Sequence, residues 1–129
     1  MAAVAVIIGG TAFGLFLIGR RIRGAATGGW AALLLCALSS SLLWPGDGNA
    51  VTTEWFLMLF TTWGTWGFWR IQPRADFRAT LPVGVLYGLA FLSKQPALLD
   101  LGAPILTLGY LAATGERRWA DAIRAAAGL

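Results

Sequence analysis

Residues 91–100 read FLSKQPALLD, a lysine set between two runs apolar enough to enter a bilayer. Pro96 removes a backbone donor and disfavours a helical Gln95, so the segment reads as a break between two helices. The flanking runs are residues 81–92, LPVGVLYGLAFL, and residues 97–113, ALLDLGAPILTLGYLAA. Three more lie upstream: residues 2–19, residues 29–44 and residues 55–69, the last extending upward through residues 50–54. Several fall short of the roughly 20 residues that cross about 30 Å of hydrocarbon, and the run at 81–92 is the weakest.

Charge placement chooses between one kinked crossing and two short ones at the SKQP break. Arg20, Arg21, Arg23, Arg70, Arg74, Arg78, Arg117, Arg118 and Arg124 all belong on the cytoplasmic side by the positive-inside bias. Two crossings between Arg78 and Arg117 satisfy that bias, and a single crossing does not. The expectation is therefore an all-α, polytopic transmembrane bundle of about five membrane helices, forming one transmembrane domain over residues 1–129. Loops then alternate sides, and of the ten basic residues only Lys94 is external. Glu54, Lys94 and Asp47 emerge on that same face and can meet in space.

Composition agrees. The 129 residues are 57% hydrophobic and 12% charged, with a mean hydropathy of +0.68, far more apolar than an ordinary soluble domain. The net charge of +4 sits in short clusters between apolar runs rather than along one polar face, so topology explains it and nucleic acid does not. Histidine is absent and Cys36 is the only cysteine, which excludes His/Cys metal sites, Cys/His nucleophiles and an intrachain disulfide framework. No basic region precedes the first apolar run, so a cleaved signal peptide is not expected.

Each candidate residue has a plain reading beside the functional one. Lys94 either snorkels to the interface or compensates something anionic, and its place against the charge bias favours the second. Glu54 suits the first turn of a helix capped by Thr52 or Thr53, and the same position lets it act as a base, hold a cation or bind acceptor hydroxyls. Asp100 offers an intramolecular partner for Lys94, although a separation of six fits no continuous helix face. Asp47, in PGDGN, reads as a turn residue. Trp44, Trp55, Trp66 and Trp69 suit an interfacial belt, with Trp63 deeper and between helices. The pairs Gly10/Gly14 and Gly84/Gly88 permit close helix approach. Residues 116–129, ERRWADAIRAAAGL, read as an amphipathic helix or the first turns of another span.

From about residue 19 to 119 the order of pieces resembles the membrane core of the GT-C glycosyltransferases of the dolichyl-phosphate-mannose protein mannosyltransferase type, including the bacterial lipid A aminoarabinose transferases. The matching pieces are IGRRIRG, GWAALLLCALSSSLLW, VTTEWFLMLF and VLYGLAFLSKQPALL. The resemblance implies transfer of a sugar, with inversion, from a polyprenyl-phosphate donor to a hydroxyl of a protein or lipid acceptor, at the extracytoplasmic face of the plasma (inner) membrane. It assigns the lipid phosphate to Lys94 and Gln95 and an accessory catalytic role to Glu54. No cofactor is expected, with a divalent cation left open. In the family the main catalytic carboxylate lies in a first external loop that would precede Met1, so the chain is expected to be a fragment of the larger core that does not catalyse alone; Asp100 stands where the family usually has an apolar residue. The Ala, Gly and Arg bias suggests a bacterial source. The alternative is a small oligomeric membrane transporter or a structural membrane subunit, which Gly-lined faces would permit.

Overall fold

A computed structural model of the protein describes residues 2–42, 53–72 and 76–129, with the side chains of 40–42 outside that description. The described residues form six helices and no strand. The first, α1, is Ala2–Arg23 and the second, α2, is Ala25–Leu42. The first apolar run continues as helix through its arginines, because Arg20, Arg21 and Arg23 sit in the last turn, where cations complement the exposed carbonyls. Gly24 alone makes the turn: its φ of +96° is a conformation that residues with a Cβ rarely adopt.

α3 is Thr53–Ile71 and α4 is Phe77–Ser93. α4 starts four residues before its apolar run, because Asp76, with an extended backbone, accepts the Ala79 N–H at 2.8 Å and supplies the cap. α5 is Ala97–Ala113 and α6 is Trp119–Ala126.

The close contacts fix the directions of the helices. Along α1, Gly10 lies against Leu59 and Gly14 against Thr62 and Trp63, so α1 and α3 run parallel. Gly64 faces Tyr87 and Gly67 faces Val83, so α3 and α4 run antiparallel. The Arg117 guanidinium donates to the Gln72 carbonyl at 3.3 Å, bringing the end of α5 to the end of α3. Arg20, Arg21, Arg23, Arg70, Arg78, Arg117 and Arg118 therefore share one end of the bundle, and Lys94 lies at the other. Arg74 is outside the described residues.

Large apolar side chains cover much of the outside, with Leu92 82% and Leu99 81% exposed, whereas Ala90, Ala125 and Thr80 are fully enclosed. Large apolar side chains on the outside are expected where lipid is the solvent. The core joins α3 to α6 through Phe68, Val83, Tyr87, Leu108, Ala112, Ala122 and Ala125. By length and composition α1 is long and apolar enough to cross a membrane; Ala25–Ser39, α4 and α5 are apolar but shorter. Helices thus stand at all five expected positions, while their lengths alone do not establish five crossings.

The Gly10/Gly14 spacing forms the expected close seam. Gly84/Gly88 does not: the space at Gly84 is filled by the backbone of Gly128 and Leu129, and a methyl at Gly88 would meet nothing within 4 Å. α6 accounts for this, since its C-terminal end runs back beside α4 and α5.

Candidate functional site: the Lys94–Glu54 end

The break at SKQP spans residues 94–96, which lie between the two helices. α4 ends at Ser93, and Lys94 leaves it with φ −160° and ψ 130° while its N–H still bonds the Ala90 carbonyl at 2.9 Å. Pro96 then opens α5 with helical angles, where a missing N–H costs nothing. The N–H groups of Ala97, Leu98 and Leu99 bond back to the carbonyls of Lys94, Gln95 and Pro96 at 2.9–3.1 Å. The turn is thus hydrogen-bonded on itself, and the Lys94 side chain is free to reach across the bundle end.

It reaches Glu54. The Lys94 ammonium donates to Glu54 Oε1 at 2.5 Å across a sequence separation of 40. The two side chains are 43% and 60% exposed, so the pair is solvated and contributes at most about 1 kcal/mol to stability. Glu54 stands in the first turn of α3, where a carboxylate also opposes the positive end of the helix.

Asp100 does not take this role. It is exposed in the first turn of α5, and the salt bridges among the described residues are Lys94–Glu54 and Arg124–Asp121. The N-terminal turn of α5 is an adequate reason for a carboxylate there. Gln95 is exposed within the turn itself. Asp47, Thr52 and Trp44 lie outside the described residues. No group of three or more His, Cys, Asp or Glu side chains suited to a metal ion occurs among the described residues.

The tryptophans divide by depth. Trp63 donates its indole N–H to the Gly10 carbonyl at 3.2 Å, tying α3 to α1 within the bundle. Trp66 packs edge-on against Trp63 at 5.5 Å and carries the Arg70 guanidinium over its face at 5.3 Å, at the arginine end.

A second feature was not legible in the sequence. Between α3, α4 and α5 lies a half-open cleft of about 270 Å³, lined by Thr65, Phe68, Trp69, Gln72, Tyr87 and Thr107 among others. Thr65 and the Tyr87 hydroxyl share a hydrogen bond of 2.9 Å on its wall. No motif announces it, because its lining comes from three helices far apart in the sequence and only their packing brings the residues together.

A family model described as dolichyl-phosphate-mannose-protein mannosyltransferase matches residues 1–129. No curated protein and no solved structure matches the chain. Proteins of that family are integral membrane glycosyltransferases that use polyprenyl-phosphate-linked sugar donors. The arginine-bearing end, the lipid-type surface and the SKQP break are features of a chain that belongs to the dolichyl-phosphate-mannose-protein mannosyltransferase family.

Proposed function

We propose that this chain supplies the donor-phosphate part of a membrane glycosyltransferase site, with its five long helices crossing the membrane as one transmembrane domain. The arginine end is cytoplasmic and the Lys94–Glu54 end extracytoplasmic. Sugar passes there from a polyprenyl-phosphate carrier to a hydroxyl of a protein or lipid acceptor. The observation that carries this reading is the Lys94–Glu54 contact, formed at the end of the bundle opposite the arginines.

The chemistry follows from where charge develops. As the bond from the anomeric carbon to the phosphate oxygen breaks, negative charge grows on the departing lipid phosphate. An ammonium held beside it stabilises that charge more in the transition state than in the ground state, which is the condition for lowering the barrier. Lys94 provides the ammonium, on a backbone fixed by the α4 terminus and Pro96. Gln95, in the same turn, adds an amide donor for a phosphate oxygen. Glu54, opposite them, orients the acceptor hydroxyl or a cation. Inversion requires the acceptor to approach from the face of the sugar away from the phosphate.

A structural subunit would use Asp100 to neutralise Lys94, and that pair is not formed.

The test is retention of a polyprenyl monophosphate by the purified chain in nanodiscs, measured by native mass spectrometry. Replacing a charge-assisted contact worth about 1.5–3 kcal/mol predicts that Lys94→Ala retains the lipid roughly ten- to a hundredfold less tightly, and Lys94→Arg much of the way towards wild type. Equal retention by Lys94→Ala and wild type would remove the phosphate role.

A further inference from the structure

Lys94 already has a counter-ion. Any phosphate that binds it must contend with Glu54, whose carboxylate oxygen lies 2.5 Å from the ammonium. Resting on the assignment of Lys94 to the donor phosphate, we propose that Glu54 is a resident counter-ion which the donor phosphate displaces, so that donor binding separates the pair and Glu54 weakens donor affinity.

Three features support an exchange rather than a shared grip. The pair is shallow: side-chain exposures of 43% and 60% leave both groups reachable from the aqueous end, and solvated pairs separate at little cost. The backbones that carry the pair are fixed. Lys94 is held by the Ala90 carbonyl and the turn that follows, and Glu54 by the first turn of α3. α3 and α4 are locked together at Gly64–Tyr87 and Gly67–Val83, so exchange needs only rotation about side-chain bonds. The displaced carboxylate is not stranded, since it stays at the positive end of α3 and in contact with water.

A phosphate and a carboxylate crowded on one ammonium repel each other. Removing the carboxylate's charge should therefore help the phosphate. The opposite design, in which Glu54 holds Lys94 in position for the phosphate, predicts the reverse sign, which makes the sign of the effect diagnostic.

The experiment titrates polyprenyl monophosphate, with neutral polyprenol as the tail control, against the intact chain in nanodiscs for wild type, Glu54→Gln, Glu54→Asp and Lys94→Ala. Displacement predicts that Glu54→Gln binds the phosphate lipid about two- to fivefold tighter, the worth of a solvated ion pair. It predicts that Glu54→Asp, charged but one methylene shorter, falls between Gln and wild type, and that polyprenol binding does not change. If neither Glu54 variant exceeds wild type while Lys94→Ala is weakened, the displacement is wrong and the phosphate assignment stands. If Lys94→Ala binds as wild type does, the phosphate assignment itself fails, and displacement falls with it.

Discussion

Substituting three helical glycines by alanine separates backbone contact from side-chain contact and from open space. In α2, Gly28 is the sharpest case. A methyl there would overlap the Phe16 carbonyl oxygen and lie 2.9 Å from the Arg20 nitrogen, while one at Gly19 would lie 2.7 Å from the Gly28 Cα. The obstacle is backbone on both sides, so Gly28→Ala forces α1 and α2 apart. Overpacking of this kind costs about 1–3 kcal/mol, only partly offset by the roughly 0.5–1 kcal/mol that alanine gains over glycine within a helix. In α1, Gly14→Ala meets the Thr62 methyl at 2.7 Å, a β-branched side chain rather than backbone, and the net loss should be about 1 kcal/mol once the helix-propensity gain is subtracted. Gly88→Ala meets nothing within 4 Å and should gain about 0.5 kcal/mol from helix propensity. Helical circular dichroism followed through a titration of dodecyl sulfate into mild-detergent micelles gives the order. Stability falling from Gly88→Ala through Gly14→Ala to Gly28→Ala agrees with these contacts; Gly28→Ala as stable as wild type would refute the close α1–α2 crossing.

Two further substitutions bear on how the end helices are positioned. Trp63→Phe keeps the ring against Phe13 but loses the bond to the Gly10 carbonyl, and should destabilise by about 0.6 kcal/mol, the average for a hydrogen bond between membrane helices, in the same detergent titration. Asp76→Ala removes the cap that accepts the Ala79 N–H and should cost about 1 kcal/mol, whereas Asp76→Asn should restore most of it; equal losses for the two would mean that the carboxylate charge, not the cap, carries the effect.

Much of the fold was legible because the apolar runs, though several are short, are separated by charged or proline-bearing stretches. Pro96 marked the break, and the arginines set the parity that put Lys94 and Glu54 at one end, where they meet. Boundaries were less legible. The expected separator at residues 20–24 shrank to Gly24, because arginines in a last turn prolong a helix rather than end it. The polar stretch before α4 shortened because the cap value of Asp76 outweighs its polarity. The alternative partner, Asp100, could not be dismissed from spacing alone, since the direction of α5 after the break at residues 94–96 is a matter of tertiary packing. Gly84 looked like a helix-contact glycine and instead admits the backbone of residues 128–129. The Thr65–Tyr87 cleft left no trace in the sequence, as both residues are common on helix faces and only the antiparallel packing of α3 on α4, seen at Gly64–Tyr87, brings them to one wall.

The most direct measurement places a benzophenone amino acid at Leu98, exposed in the first turn of α5 after Lys94, or at Glu116, at the arginine end, and photolyses each chain in nanodiscs with a radiolabelled polyprenyl monophosphate or the matching polyprenol. A phosphate group seated on Lys94 predicts cross-linking at Leu98 that favours the phosphate lipid over the polyprenol and is lost in Lys94→Ala, with none of that preference at Glu116. Equal cross-linking of the two lipids at Leu98, or a phosphate preference found only at Glu116, would contradict a donor site at the Lys94–Glu54 end.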